Sequence, residues 1–215
     1  MTEIIKVEDN LNYAIDCAKN LFFQGKIFAY PTDTIYGLGG NPFNIQTVKA
    51  LDIVKQRELG KRYIFLVGSI EILRKYIVVN NENHLDFLIS IWPNPISVIL
   101  NLNIETSNSL GLTNAAFRIP NNAFCVKFLK EIKMPLISTS VNRKDEPPMN
   151  DAEMIQMEFK DEIDAIFVSD KKSLDYNSTL IDLTGNVPIL IREGKVRFDD
   201  VLSRFNNSLS TEDVS

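Results

Sequence analysis

The chain is short of the residues from which many catalytic sites are built. Its 215 residues include one histidine, His84, and two cysteines, Cys17 and Cys125. A Ser-His-Asp or Cys-His mechanism would have to run through His84, which stands in NNENHLDFLI near the expected start of a helix. Zinc sites made of His and Cys run out of ligands. The two cysteines are far apart and read as small buried hydrophobes in a reducing compartment. No G-x-x-x-x-G-K-[ST] is present, and YGLGG does not match G-x-G-x-x-G, so neither a P-loop nor a dinucleotide-binding turn has support. No apolar run approaches the roughly 18 residues of a membrane span. The start, MTEIIKVEDN, is acidic and has no signal-peptide core. These absences lead us to expect a soluble, cytoplasmic protein with no membrane partner. Basic residues are outnumbered, 23 Lys and Arg against 28 Asp and Glu, a net charge of −5. That speaks against a broad basic face for nucleic acid.

What remains is ordinary globular material, 45% hydrophobic and 24% charged. A chain of this size can bury a core without disulfides or metals. Helical spacing of Leu11, Ala14, Ala18, Leu21 and Phe22 predicts a helix over 9–24 that stops at Gly25. KIFAY, 26–30, reads as a buried strand broken by Pro31. Ile45, Val48, Leu51 and Ile53 are read as the apolar positions of a helix over 44–57. Strands are expected at 63–67, 97–102, 117–119, 136–139 and 165–168. Further helices are expected at 70–77 behind a Ser69 cap, at 83–91, from Asn122 to about 132, and at 150–159. Residues 180–183 and 188–191 read as a closing strand pair around Gly185-Asn186. The irregular alternation predicts an α/β fold with a twisted mixed sheet and flanking helices, in one domain over 1–205. The polar stretch 206–215 is expected to be a disordered tail.

Three segments could carry chemistry. Pro31-Thr32-Asp33-Thr34-Ile35-Tyr36-Gly37-Leu38-Gly39 packs two hydroxyls, a carboxylate and a phenol at the end of a buried strand, where open α/β sheets bind ligands. It could equally be a turn that uses Pro, Asp and Gly for conformation. Lys55-Gln56-Arg57-Glu58-Leu59-Gly60-Lys61-Arg62 holds four cations in eight residues. It suits a phosphate grip or a solvated helix end. Ser138-Thr139-Ser140-Val141-Asn142 is a hydroxyl-rich strand end. Arg118 in FRIP and Arg192 in LIREG are charges in apolar strands, which need an internal partner or a ligand anion. Ser178-Thr179 adds another hydroxyl pair.

In this order PTDTIYGLGG, the K-x-R-x-x-x-K cluster, WPNP, FRIP, STSVN followed by EPP, STLID and LIREGKV resemble the YrdC family over roughly residues 10–200. Arg62 stands where that family usually has Pro, Asn94 where it has the Gly of WPGP, and Lys144-Asp145 where it has Ser-Gly. The resemblance implies a YrdC-like single domain with a concave ligand groove. It also implies joining of L-threonine, bicarbonate or carbon dioxide, and ATP into threonylcarbamoyl-AMP with release of pyrophosphate, a nucleotidyltransferase reaction that draws on Mg²⁺. Separate proteins would then transfer the threonylcarbamoyl group to tRNA, as for the family's short form. Carried over by position, Lys55, Arg57 and Lys61 would form the catalytic cationic wall. Arg57, Lys61, Asn114, Ser140 and Arg192 would bind ATP. Thr32, Thr34, Arg118, Ser138 and Ser178 would bind threonine, with Arg118 on its carboxylate. No metal-ligating residue is implied. Two alternatives stand beside this reading. One is a non-catalytic factor that binds structured RNA through the same groove. The other is a carbamoyl-transfer domain of the kind found inside longer chains.

Overall fold

The computed structural model describes residues 2–56, 63–79, 81–170 and 176–209. Ten strands among them form one sheet in the order β1-β8-β2-β3-β7-β4-β6-β5-β9-β10. The strands are β1 (Glu3–Lys6), β2 (Phe28–Tyr30), β3 (Gly37–Gly39), β4 (Ile64–Leu66), β5 (Ile96–Asn101), β6 (Asn114–Arg118), β7 (Leu136–Ser140), β8 (Ala165–Val168), β9 (Thr179–Asp182) and β10 (Ile189–Arg192). β1, β8 and β2 run parallel. β7 is antiparallel to both of its neighbours, β3 and β4. β4 is parallel to β6, β5 to β9, and β9–β10 close the edge as a hairpin. The mixed sheet agrees with the expectation from sequence.

Alternation along the strands sends side chains into two cores. On one face Phe28, Tyr30, Leu66, Leu136 and Phe167 pack under α1 (Leu11–Phe23) and α6 (Ala123–Ile132). On the other Ala29, Phe65, Ile137 and Ile166 pack under five helices. These are α2 (Ile45–Lys55), α3 (Ile70–Leu73), α4 (Glu82–Ile91), α7 (Ala152–Phe159) and α8 (Phe198–Leu209). The helices start where short polar side chains can cap them. Asn10, Asn44, Ser69, Asn81, Asn122 and Asp151 each accept a backbone N–H of the first turn.

Several readings of the sequence need correcting. β1, β3, α5 (Ile104–Leu110) and α8 were not expected. In α2, Ile45 and Ile53 are exposed, and the buried face is Thr47, Leu51, Val54 and Lys55. Two polar residues hold buried places because each is satisfied there: Thr47 Oγ1 donates to Gly25 O, and Lys55 donates to three oxygens described below. The helix expected over 70–77 is a single turn, α3. Residues 206–209 belong to α8, whose Phe205 is buried edge-on against Phe87, while 210–215 lie outside the described residues. Cys125 is buried, as read from sequence, and Cys17 only half-buried. No helix among the described residues is long and apolar enough to cross a membrane.

Candidate functional site

The face of the sheet that carries α1 and α6 is not covered to its end. In the cross-strand register, Leu136, Leu66 and Arg118 form one row, and Ser138, Ile64 and Ala116 the next. Residues directly opposite one another share a face. Beyond Leu136 that face changes from apolar to hydroxyl, at Ser138 and Ser140. There a cavity of about 210 Å³ opens, bordered by Thr32, Thr34, Ile64, Arg118, Ser138, Ser140, Ser178 and Arg192 among others. Its walls come from β3, β7, β4 and β6, from the 177–178 segment before β9, and from β10. Strands that lie far apart in the sheet order meet there because a sheet twists by roughly 20–25° per strand.

Close packing fixes the first wall. A Cβ on Gly39 would lie 1.9 Å from Ile137 O, so β3 can sit between β2 and β7 only with glycine at this place. The preceding loop is held by a directed chain of hydrogen bonds. Thr32 Oγ1 donates to Ile35 O at 2.7 Å and accepts the backbone N–H of Thr34 at 3.0 Å. Its one hydrogen is thereby used, so in the 3.0 Å contact between the two threonine hydroxyls Thr34 is the donor. Thr34 Oγ1 in turn accepts from Arg118 Nη1 at 3.2 Å. Thr32 borders the cavity, yet its hydroxyl has no capacity left for a ligand. Thr34 keeps one lone pair.

Arg118 ends β6 and is buried. The resemblance assigns its charge to a ligand, but it already has an internal partner, Asp33, whose Oδ1 accepts from Nη2 at 3.0 Å. Close by, the Cys125 thiol donates to Pro31 O, and burial pushes its pKa up. Burial first of all also raises the phenols of Tyr30, beneath the site, and Tyr36, on its wall, so both remain protonated.

On the opposite wall the Ser178 hydroxyl is 3.0 Å from that of the fully buried Ser97. The carbonyl of Ser178 accepts Arg192 Nη2 at 3.0 Å. Arg192 is not the buried strand charge that the sequence suggested, because all of β10 is exposed. Its guanidinium folds inward, and partial desolvation there lowers its pKa from the ordinary arginine value. Gly194 makes room for this arrangement: a Cβ there would lie 2.4 Å from Asn177 O and 2.6 Å from Ser178 O.

Lys55 does not border the cavity. Its ammonium donates to Ser140 O, Asn142 O and Asn142 Oδ1 at 2.8, 2.8 and 2.5 Å. Ser140 Oγ donates to the same Asn142 oxygen. Lys55 therefore fixes the end of β7 rather than presenting a charge to the groove. Asn114 lies on the same sheet face as Arg118, four residues earlier in β6, and is not among the residues bordering the cavity. Arg57 and Lys61 lie outside the described residues. Tyr36 and Asn177 also border the cavity, and Asp33 stands behind Arg118; the sequence marked Asp33 and Tyr36 only as members of the first segment, and Asn177 not at all. The sequence called for a partner to Arg118 without naming one, because Asp33 stands 85 residues away along the chain.

A sheet of this order with a hydroxyl- and arginine-lined groove over its antiparallel centre defines a YrdC-like α/β domain. The chain belongs to the Sua5/YciO/YrdC family, whose model, described as telomere recombination, matches residues 20–194. It is 28% identical over 207 residues to the threonylcarbamoyl-AMP synthase of Pyrococcus abyssi (strain GE5 / Orsay), covering 94% of this chain and 60% of that protein. The crystal structure of P. abyssi Sua5 complexed with L-threonine superposes with a TM-score of 0.83 at 25% identity, covering 95% of this chain and 60% of that one. The chain thus spans about three fifths of the length of these relatives. Escherichia coli YciO shares the fold along its whole length, with a TM-score of 0.84 at 22% identity and 94% of this chain covered.

Proposed function

We propose that this chain makes threonylcarbamoyl-AMP from L-threonine, bicarbonate or carbon dioxide, and ATP, releasing pyrophosphate. The product would feed threonylcarbamoyl transfer to tRNA by separate proteins. The observation that carries the reading is the meeting of buried Arg118 with Thr34, Ser138 and Ser178 in one cavity, in a chain similar over 95% of its length to a Sua5 that was crystallised with L-threonine. Family membership over residues 20–194 supports it further.

In this reading the threonine carboxylate takes the forked donors of Arg118, and its hydroxyl takes the remaining capacity of Thr34, Ser138 and Ser178. The amine, once deprotonated, adds to carbon dioxide and gives a carbamate and a proton. A carbamate oxygen attacks the α-phosphorus of ATP, and the bond to pyrophosphate breaks. No protein nucleophile is needed, which suits a chain with one histidine. The chain supplies position and positive charge. Arg192 lies on the opposite wall for the nucleotide, and Arg57 and Lys61 are the proposed phosphate grip. Ser140, whose hydrogen is given to Asn142, offers lone pairs and suits a ribose hydroxyl or adenine amine. Mg²⁺ belongs to the nucleotide substrate as MgATP.

The test is pyrophosphate release from MgATP, with and without L-threonine and bicarbonate. Release that requires both is expected, and its loss is expected in Arg57→Ala and Lys61→Ala with the fold intact. Release that ignores threonine, or no release beside tight binding of structured RNA, overturns the synthase in favour of an RNA-binding factor.

A further inference from the structure

We infer that Asp33 is a positioning residue for substrate recognition: it fixes the plane of the Arg118 guanidinium, so that an amino-acid carboxylate meets a set fork rather than a mobile cation. The inference rests on the reading of Arg118 just proposed. Four observations lead to it. Asp33 and Arg118 are joined at 3.0 Å with side chains only 8% and 6% exposed. Arg118 is tied by both terminal nitrogens, Nη2 to Asp33 and Nη1 to Thr34, so its guanidinium cannot turn without breaking a bond. Arg118 Nε and Asp33 Oδ2 are buried with no hydrogen-bond partner among the described residues. Arg118 borders the cavity and Asp33 does not.

The third observation is the telling one. Buried polar atoms are seldom left unmatched. Nε and Oδ2 are the second leg of a side-on arginine–carboxylate pair, and here that leg is open. A pair built for stability alone would close both legs. With one leg made and the other terminal nitrogen tied to a cavity-wall hydroxyl, the guanidinium is turned toward the groove at the expense of its own pairing. Asp33 also compensates the buried cation while no ligand is present. Cys125 beside it is held protonated by burial and adds no charge.

The experiment measures L-threonine and ATP KM by pyrophosphate release, and L-threonine affinity by calorimetry. It compares wild type, Asp33→Asn, Arg118→Gln and the double variant, with thermal unfolding in parallel. Asp33→Asn is expected to weaken threonine by about tenfold or more, the scale of one charge-assisted hydrogen bond, with ATP KM unchanged. In the Arg118→Gln background the same change is expected to cost threonine affinity nothing further, because Asp33 acts through Arg118. Wild-type threonine KM in a folded Asp33→Asn, equal rises in both KM values, or additive losses in the double variant would each overturn the role. If Asp33→Asn is too unstable to assay, Asp33→Glu displaces the carboxylate by one methylene. The same KM split is expected of it, and its absence is equally decisive. A wild type that neither turns over nor binds L-threonine removes the synthase reading and this role together, whereas an active wild type with an indifferent Asp33→Asn removes this role alone.

Discussion

The ammonium of Lys55 and the side-chain oxygen of Asn142 lie 2.5 Å apart, and two backbone carbonyls, those of Ser140 and Asn142, also accept from the ammonium. A cation at the end of α2 is thus spent on holding the turn after β7. Lys55→Met fills the volume but takes the ammonium's hydrogen bonds from two part-buried backbone carbonyls and leaves Asn142 Oδ1 to Ser140 alone. A loss on the order of 2–4 kcal/mol is expected, read as a lower unfolding midpoint, and the loss of activity should follow the loss of fold.

The two threonines of the first wall should separate by phenotype. Thr32→Val removes a hydroxyl whose three bonding capacities are all internal, so it is expected to cost about 1–3 kcal/mol of stability. Thr34→Val removes a hydroxyl that faces the groove and is expected to raise threonine KM severalfold, while Thr34→Ser keeps it near wild type. Steady-state kinetics beside thermal melts distinguishes the two.

Gly39→Ala sets a methyl 1.9 Å from a backbone oxygen of β7. Neither strand can yield without losing its register to the other. The variant is expected to lose more than about 3 kcal/mol and to fail to accumulate as folded protein, which circular dichroism and yield would report.

Phe205→Ala empties the seat of α8 against Phe87. About 3–5 kcal/mol is expected from the lost contact and the cavity left behind, measured by urea unfolding, with threonine KM unchanged in the folded fraction.

Acid should weaken the tie between Arg143 and the segment that follows α7. The Arg143 hydrogen bond holds the Glu162 carboxyl below its usual value. A carboxyl depressed in the folded state contributes stability above its unfolded value, and that contribution is lost as pH falls through the folded one. Between about pH 7 and pH 3 the wild type should therefore lose more stability than Glu162→Gln. The difference should be small, because Glu162 is 43% exposed.

Periodicity and breakers revealed much of the fold. β8 was placed to the residue and most helices to within two. The exceptions have physical causes. β3 is Gly-Leu-Gly, with little β propensity, and only its fit between two strands makes it a strand. α8 carries Phe198, Val201, Leu202, Phe205 and Leu209 at helical spacing, a periodicity overlooked because the polar residues from 206 onward read as a tail. In α2 the buried register runs through Thr47 and Lys55, which no hydrophobic count would select. Of the site, the hydroxyl strand ends and Arg118 were legible. The saturation of Thr32, the commitment of Lys55 and the pairing of Arg118 with Asp33 depend on distances that spacing along the chain does not carry.

β7 is the seam of the molecule. On one side lie β3, β2, β8 and β1, and on the other β4, β6, β5, β9 and β10. Thr34 comes from the first side, Arg118 and Arg192 from the second, and Ser138 and Ser140 from the seam itself. A molecule held by all of them is a rivet through two plates. Its binding energy appears as resistance to their parting, by RT ln(1 + [L]/Kd). Amides of β2 and β3 should then exchange more slowly in its presence, although most of them never touch it, and a chain without that molecule should be the one that proteases open first.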